Sequence, residues 1–230
     1  MTLFVHGFLG SVDDWAPVLS IISGRAVSIP RAESIEAAAD ALVPDEPCVI
    51  VGYSLGGRLA MLAATRNPGA FTAVIAVSAD PGRAGKDRAA MDAARADRIE
   101  QGDLRDFVDT WYEAELWSPL RLHPGFPAML ERRYQAPSEA AVLALRRYST
   151  GLQPDLWDHL PENLTAVVGE KDPKYLALGH QMAARGVPLH VLRGAGHAIP
   201  VEAPEELARI LRHCTEAARG RRPTEPRVRA

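Results

Sequence analysis

Cys48-Val49-Ile50-Val51-Gly52-Tyr53-Ser54-Leu55-Gly56-Gly57-Arg58 runs from an apolar segment through a G-x-S-x-G into a helical pattern. That context decides the reading. A serine placed between a strand and a helix in this motif sits on a sharp, strained turn, and the flanking glycines relieve its clashes with both neighbours. The Ser54 hydroxyl is then expected to stand clear at the carboxyl end of a sheet.

Outward from this turn, short apolar runs alternate with longer helical patterns, the sign of parallel strands joined by helical crossovers. Strands are expected at 3–6, 25–29, 48–52, 72–78, 164–168 and 189–192, and helices at 13–22, 34–43, 55–67 and 204–218. Residues 82–158 break the alternation with helical runs at 87–101, 104–115, 125–134 and 138–149 and no convincing strand. They read as a helical cap over the carboxyl ends of the strands, where open parallel sheets place ligand sites. The expected organisation is a core of 1–81 and 159–218, a cap of 82–158 that chooses the substrate, and a basic, disordered tail at 219–230.

A serine hydroxyl needs an imidazole to share its proton. Of the seven histidines, His197 in Gly194-Ala195-Gly196-His197 follows the last strand and can turn in at the same end of the sheet as Ser54. The imidazole needs a carboxylate behind it. Asp172, in Gly169-Glu170-Lys171-Asp172 after the fifth strand, gives the chain order Ser, Asp, His. Asp80 after the fourth strand is the rival, and Glu170 the weaker neighbour. An oxyanion hole calls for two fixed N–H donors, for which Leu55 and Phe8 hold the expected positions. His6 reads as a brace for the loop at Gly7.

With 230 residues, the chain is long enough for one sizeable core. A composition 47% hydrophobic and 24% charged excludes a disordered chain, and a net charge of -3 provides no basic field for nucleic acid. The two cysteines, Cys48 and Cys214, lie in no ligand cluster, so neither a zinc site nor a disulfide framework is expected. No stretch is apolar for long enough to span a membrane, and the opening Met1-Thr2-Leu3-Phe4 lacks a basic leader, which reads as cytoplasmic.

The segments His6-Gly7-Phe8-Leu9-Gly10-Ser11, Asp14-Trp15, Gly52 to Arg58, Trp111-Tyr112, Thr150 to Trp157, Gly169 to Tyr175 and Gly194 to His197 together carry a resemblance that spans nearly the whole chain. The chain resembles the 2-succinyl-6-hydroxy-2,4-cyclohexadiene-1-carboxylate (SHCHC) synthases of menaquinone biosynthesis, within the α/β-hydrolase fold. The resemblance implies a mostly parallel, doubly wound α/β sheet with a helical cap insertion. It also implies a lyase that eliminates pyruvate from a tricarboxylate without cofactor or metal. Ser54, activated by His197 and Asp172, would be the base, with the developing enolate oxygen at Phe8 and Leu55. Many members carry a leading antiparallel strand pair, for which no sequence stands ahead of Leu3.

Arginine suits a small polyanionic substrate because its planar fork pairs with carboxylates in bidentate fashion. By resemblance the binding residues are Tyr53, Arg58, Arg88, Trp111 and an arginine at 132 or 133, with Arg133 preferred on its spacing from Gln153. The competing readings are a carboxylesterase or thioesterase using the same triad, and a hydrolase-shaped binding protein without turnover.

Overall fold

The computed structural model describes residues 1–82 and 85–220. In chain order the elements are β1 (Thr2–Val5), α1 (Ala16–Leu19), β2 (Arg25–Val27), α2 (Ile35–Asp40), β3 (Cys48–Tyr53), α3 (Leu55–Arg66) and β4 (Phe71–Val77). Five helices follow: α4 (Lys86–Gln101), α5 (Leu104–Glu113), α6 (Ser118–Arg121), α7 (Phe126–Tyr134) and α8 (Ser138–Arg147). The chain then returns through β5 (Leu164–Gly169), α9 (Pro173–Ala183), β6 (Leu189–Leu192), α10 (Ile199–Glu202) and α11 (Pro204–Gly220).

The six strands form one parallel sheet in the order β2-β1-β3-β4-β5-β6. After β1 the chain moves outward to β2 and then returns past β1 to β3. The loops leaving β1 and β3 therefore diverge, which opens a crevice above their carboxyl ends. Phe8 and Ser54 stand at those two ends.

Side-chain alternation explains the near-continuous apolar strands. Phe4, Val51, Ile75 and Val167 pack into one core, while Val5, Ile50, Val74 and Ala166 pack into another with α2 and α3. Strands covered on both faces have no polar side to show, so runs such as Cys48-Val49-Ile50-Val51 carry no alternation in the sequence. The first core also takes in Phe107, Tyr112, Trp117 and Met129 from the inserted helices, so these share packing with the sheet.

All six expected strands are present, with ends moved by a residue or two. The expected helix at 13–22 is a 3-10 turn, Val12–Trp15, followed by α1, because Pro17 has no amide to continue the first turn. Helix α5 ends at Glu113, and Glu115–Trp117 is a separate 3-10 turn. Helix α9 was not foreseen; Asp172 caps it and Pro173 opens it. Of the expected tail, Arg219 and Gly220 belong to α11, and 221–230 lie outside the described residues. Among the described residues no helix is long and apolar enough to cross a membrane.

Candidate active site

Ser54 sits between β3 and α3 with φ 51° and ψ -110°, a conformation a non-glycine residue holds only when its surroundings enforce it. The enforcement is backbone packed on backbone. A Cβ on Gly52 would lie 2.2 Å from the Gly56 carbonyl oxygen, and one on Gly56 would lie 2.3 Å from that of Val5. Both positions therefore need glycine, and the turn lifts the Ser54 hydroxyl away from the sheet.

His197 follows β6 and is 2% exposed; Asp172 follows β5 and is 1% exposed. His197 Nδ1 lies 2.7 Å from Asp172 Oδ2, and Nε2 lies 3.2 Å from Ser54 Oγ. The carboxylate can only accept, so Nδ1–H donates to it and the Nε2 lone pair is left to accept from the serine hydroxyl. The other Asp172 oxygen accepts from the Tyr175 amide at 3.2 Å. Asp80 is engaged elsewhere: its Oδ1 accepts from the Gly82 amide at 2.9 Å and its Oδ2 faces Lys174 at 4.0 Å. Glu170 accepts from the Gly194 amide at 2.8 Å, on the outside of the same loop.

Leu55 opens α3, so its amide is one of the first-turn donors that no helical carbonyl can meet. Phe8 stands in the loop after β1. Gly7 lets that loop approach, since a Cβ there would lie 2.9 Å from the Tyr53 ring and 3.4 Å from Ser54 Cβ. His6 holds the loop from below: Ile29 N–H donates to its Nε2 at 3.4 Å, so its Nδ1–H donates to the Gly7 carbonyl at 2.8 Å. Burial pushes the His6 imidazole below its ordinary range, which keeps it neutral in this bracing role.

Above Ser54 lies a cavity of about 370 Å³. Trp111 forms part of its wall, its ring 5.1 Å from Phe8 and 5.8 Å from Phe107, and Tyr53, Trp117 and Tyr175 pack around the His197 imidazole. Among the described residues six cations line the cavity, Arg58, Arg88, Arg95, Arg98, Arg133 and Lys174, against two carboxylates, Asp14 and Asp92.

Their settings differ. Arg58 is 7% exposed and touches only neutral acceptors: its Nε donates to Gln153 Oε1, and one Nη donates to the Tyr148 carbonyl at 2.6 Å. Among the described residues it forms no ion pair, and burial pushes its guanidinium down to about 10. Gln153 in turn donates to the Asp80 carbonyl at 2.9 Å, which gives the Gln-Pro-Asp-Leu run its structural purpose. Arg133, 3% exposed, is instead committed to Asp14 through two bonds of 2.9 and 2.7 Å, and to the Tyr112 hydroxyl at 3.2 Å. Arg132 lies on the outer side, more than a third exposed and 3.5 Å from Asp14. Arg88 and Arg95 share Asp92 at 2.9 and 2.6 Å, and the Ser149 hydroxyl donates to it at 2.7 Å.

Sequence reading missed two features. Residues 88, 92 and 95 form one stripe of α4 at spacings of four and three, a signal that could have brought Asp92 and Arg95 into view beside Arg88. Glu202, at the end of α10, accepts from the Gly196 amide at 2.6 Å and from the Ala198 amide at 2.8 Å, and so holds the chain on both sides of His197. Among the described residues no group of three or more His, Cys, Asp or Glu side chains is placed to hold a metal ion.

Residues 3–210 match the model of the alpha/beta hydrolase family. The chain is 30% identical to the 2-succinyl-6-hydroxy-2,4-cyclohexadiene-1-carboxylate synthase of Salmonella typhimurium, over 91% of this chain and 93% of that one. It is 32% identical to the chloroplastic protein PHYLLO of Arabidopsis thaliana over 92% of this chain, but spans only 15% of that protein's length. The fold superposes on that of MenH from S. aureus with a TM-score of 0.86 at 22% identity, covering 95% and 94% of the two chains. The chain belongs to the alpha/beta hydrolase family, as an enzyme of the branch that holds the 2-succinyl-6-hydroxy-2,4-cyclohexadiene-1-carboxylate synthases.

Proposed function

We propose that the protein is an SHCHC synthase: a lyase that eliminates pyruvate from 2-succinyl-5-enolpyruvyl-6-hydroxy-3-cyclohexene-1-carboxylate in menaquinone biosynthesis. The observation that carries this reading is the excess, among the described residues, of cations over carboxylates around Ser54, with a buried Arg58 that pairs with none of those carboxylates. A desolvated cation gains more from an incoming anion than a solvated one, so such a cavity favours a substrate with several carboxylates over a neutral ester.

In this reading Ser54 is the base. Its hydroxyl proton passes to His197 Nε2 as Oγ takes the proton from the substrate carbon. Asp172 stabilises the imidazolium through Nδ1–H. The electron pair left on carbon delocalises toward an oxygen held by the amides of Phe8 and Leu55, then expels the enolpyruvyl oxygen as the C–O bond breaks. The departing enolpyruvate takes up a proton and tautomerises to pyruvate. Arg58 and Arg88 hold carboxylates. Arg133 acts chiefly by fixing Asp14 and the Tyr112 hydroxyl, a smaller direct share than its sequence position implied. Tyr53 and Trp111 wall the pocket, and helices α4 to α8 serve as the substrate-selecting cap.

The test is product analysis with the tricarboxylate precursor and, in parallel, p-nitrophenyl acetate. Catalytic pyruvate release with slow ester turnover is expected. Rapid ester hydrolysis without pyruvate release would make the protein a serine hydrolase.

A further inference from the structure

Tyr175 is the third residue of α9, and its amide is fixed by the bond to Asp172. Its ring lies against the His197 imidazole, centroids 4.5 Å apart, and reaches the cavity. Phenylalanine would serve that packing equally well. The hydroxyl, however, belongs to a side chain only 8% exposed, and among the described residues it has no hydrogen-bond partner. It is not among the side-chain atoms sealed from solvent without a partner, so its polar end opens on the cavity, where an incoming group can meet it. Arg58, Arg88 and Lys174 line the same cavity as Tyr175. Burial raises its pKa further above the ordinary phenol range, so at neutral pH it is a donor with its proton in place. Lys174, on the adjoining position, has its Nζ 4.9 Å from the ring centroid and faces Asp80, which leaves the phenol's donor free for a ligand.

We propose that the Tyr175 phenol contacts the substrate directly, donating a hydrogen bond to the carboxylate that Arg58 holds, beside His197. This rests on the anionic-substrate reading above. It adds a neutral donor to the arginine set and gives the family's triad loop a part in choosing the substrate as well as in presenting the acid.

The test is Tyr175→Phe, which keeps the ring against His197 and the backbone bond to Asp172. With the tricarboxylate precursor, KM should rise roughly tenfold while kcat stays within about twofold, the pattern of a lost ground-state contact. If the phenol and Arg58 grip one carboxylate, the losses in Tyr175→Phe and Arg58→Ala should combine to less than their product. An unchanged KM, or a fall in kcat alone, would overturn the proposal. Should the parent release no pyruvate, the lyase reading fails, and the phenol is then judged by calorimetric titration of citrate. A roughly tenfold weaker affinity in Tyr175→Phe than in the parent would uphold the carboxylate contact; equal affinities, or no binding by the parent, would dismiss it.

Discussion

Arg58→Ala separates substrate capture from folding. The guanidinium is buried against two neutral acceptors, Gln153 Oε1 and the Tyr148 carbonyl, and among the described residues it pairs with no carboxylate. A substrate carboxylate about 4 Å away would gain at most about 4 kcal/mol at an effective dielectric of about 20. The net value of a hydrogen bond to a charged group is smaller, about 1.5 to 3 kcal/mol. Taking about 2 to 3 kcal/mol, Arg58→Ala should lower kcat/KM for the tricarboxylate roughly 30- to 150-fold. Its effect on folding is the difference of two opposed quantities, the loss of two bonds and the release of a buried cation, and should stay within about 1 kcal/mol. Arg133→Ala should behave in the opposite way. It strips the buried Asp14 of its bidentate partner and leaves it the Ser11 amide at 3.3 Å and Arg132 at 3.5 Å. Breaking a buried pair costs about 3 to 5 kcal/mol, and with Arg132 still present the lower end applies. For a chain of this size that is a melting temperature lower by about 6 to 12 °C. Coupled pyruvate detection and thermal melts on both variants check the pair. The reasoning is refuted if Arg58→Ala keeps kcat/KM within about twofold, or if Arg133→Ala melts with the parent.

Asp172→Asn should reduce kcat on the order of 10³- to 10⁴-fold, because the amide cannot hold the imidazole in the required tautomer, whereas Asp80→Asn should cost less than about tenfold. A reversed order in steady-state rates would move the acid to the earlier strand. Glu202→Gln replaces one of the two acceptors flanking His197 with a donor that faces an amide, so kcat should fall about tenfold with KM little changed; parent-like kcat would show that the loop needs no such clamp. For His6, burial holds the folded-state pKa below the ordinary 6.5, so the unfolded chain binds more protons once the pH drops below that value. Stability is therefore full above 6.5 and falls as the pH drops toward the folded-state value. From about pH 7.5 to about pH 5.5 the melting temperature of the parent should fall more steeply than that of His6→Gln, and parallel curves would contradict the assignment.

The parts of the site legible in the sequence were those written locally. Ser54 announced itself through the glycines and apolar run around it, and Asp172 and His197 each follow a strand at the same end of the sheet, so chain order and strand ends sufficed to bring them together. The pairing of Arg133 with Asp14 spans 119 positions. It depends on how α7 packs over the loop after β1, which no periodicity records, so the sequence showed an arginine suited to substrate where the fold gives it a carboxylate of its own. Glu202 was hidden for another reason: beside Pro200 and Pro204 it reads as an ordinary helix-start acid, and its bonds run back to a loop rather than along a helix. Helix α9 escaped because Gly179 and Pro173 weaken its pattern, although Asp172 before Pro173 is a capping signal in plain sight.

If a Ser54-centred triad removes the proton that starts an elimination from a polyanion, turnover depends on the Ser54 hydroxyl. Pyruvate release from the tricarboxylate precursor by the parent and by Ser54→Ala tests it most directly. The expected result is steady release by the parent and a loss on the order of 10³-fold or more in the variant, with unchanged melting temperature, since the hydroxyl faces the cavity from a part-buried turn and little packing depends on it. Pyruvate release by Ser54→Ala at a rate near that of the parent would mean that another group takes the proton.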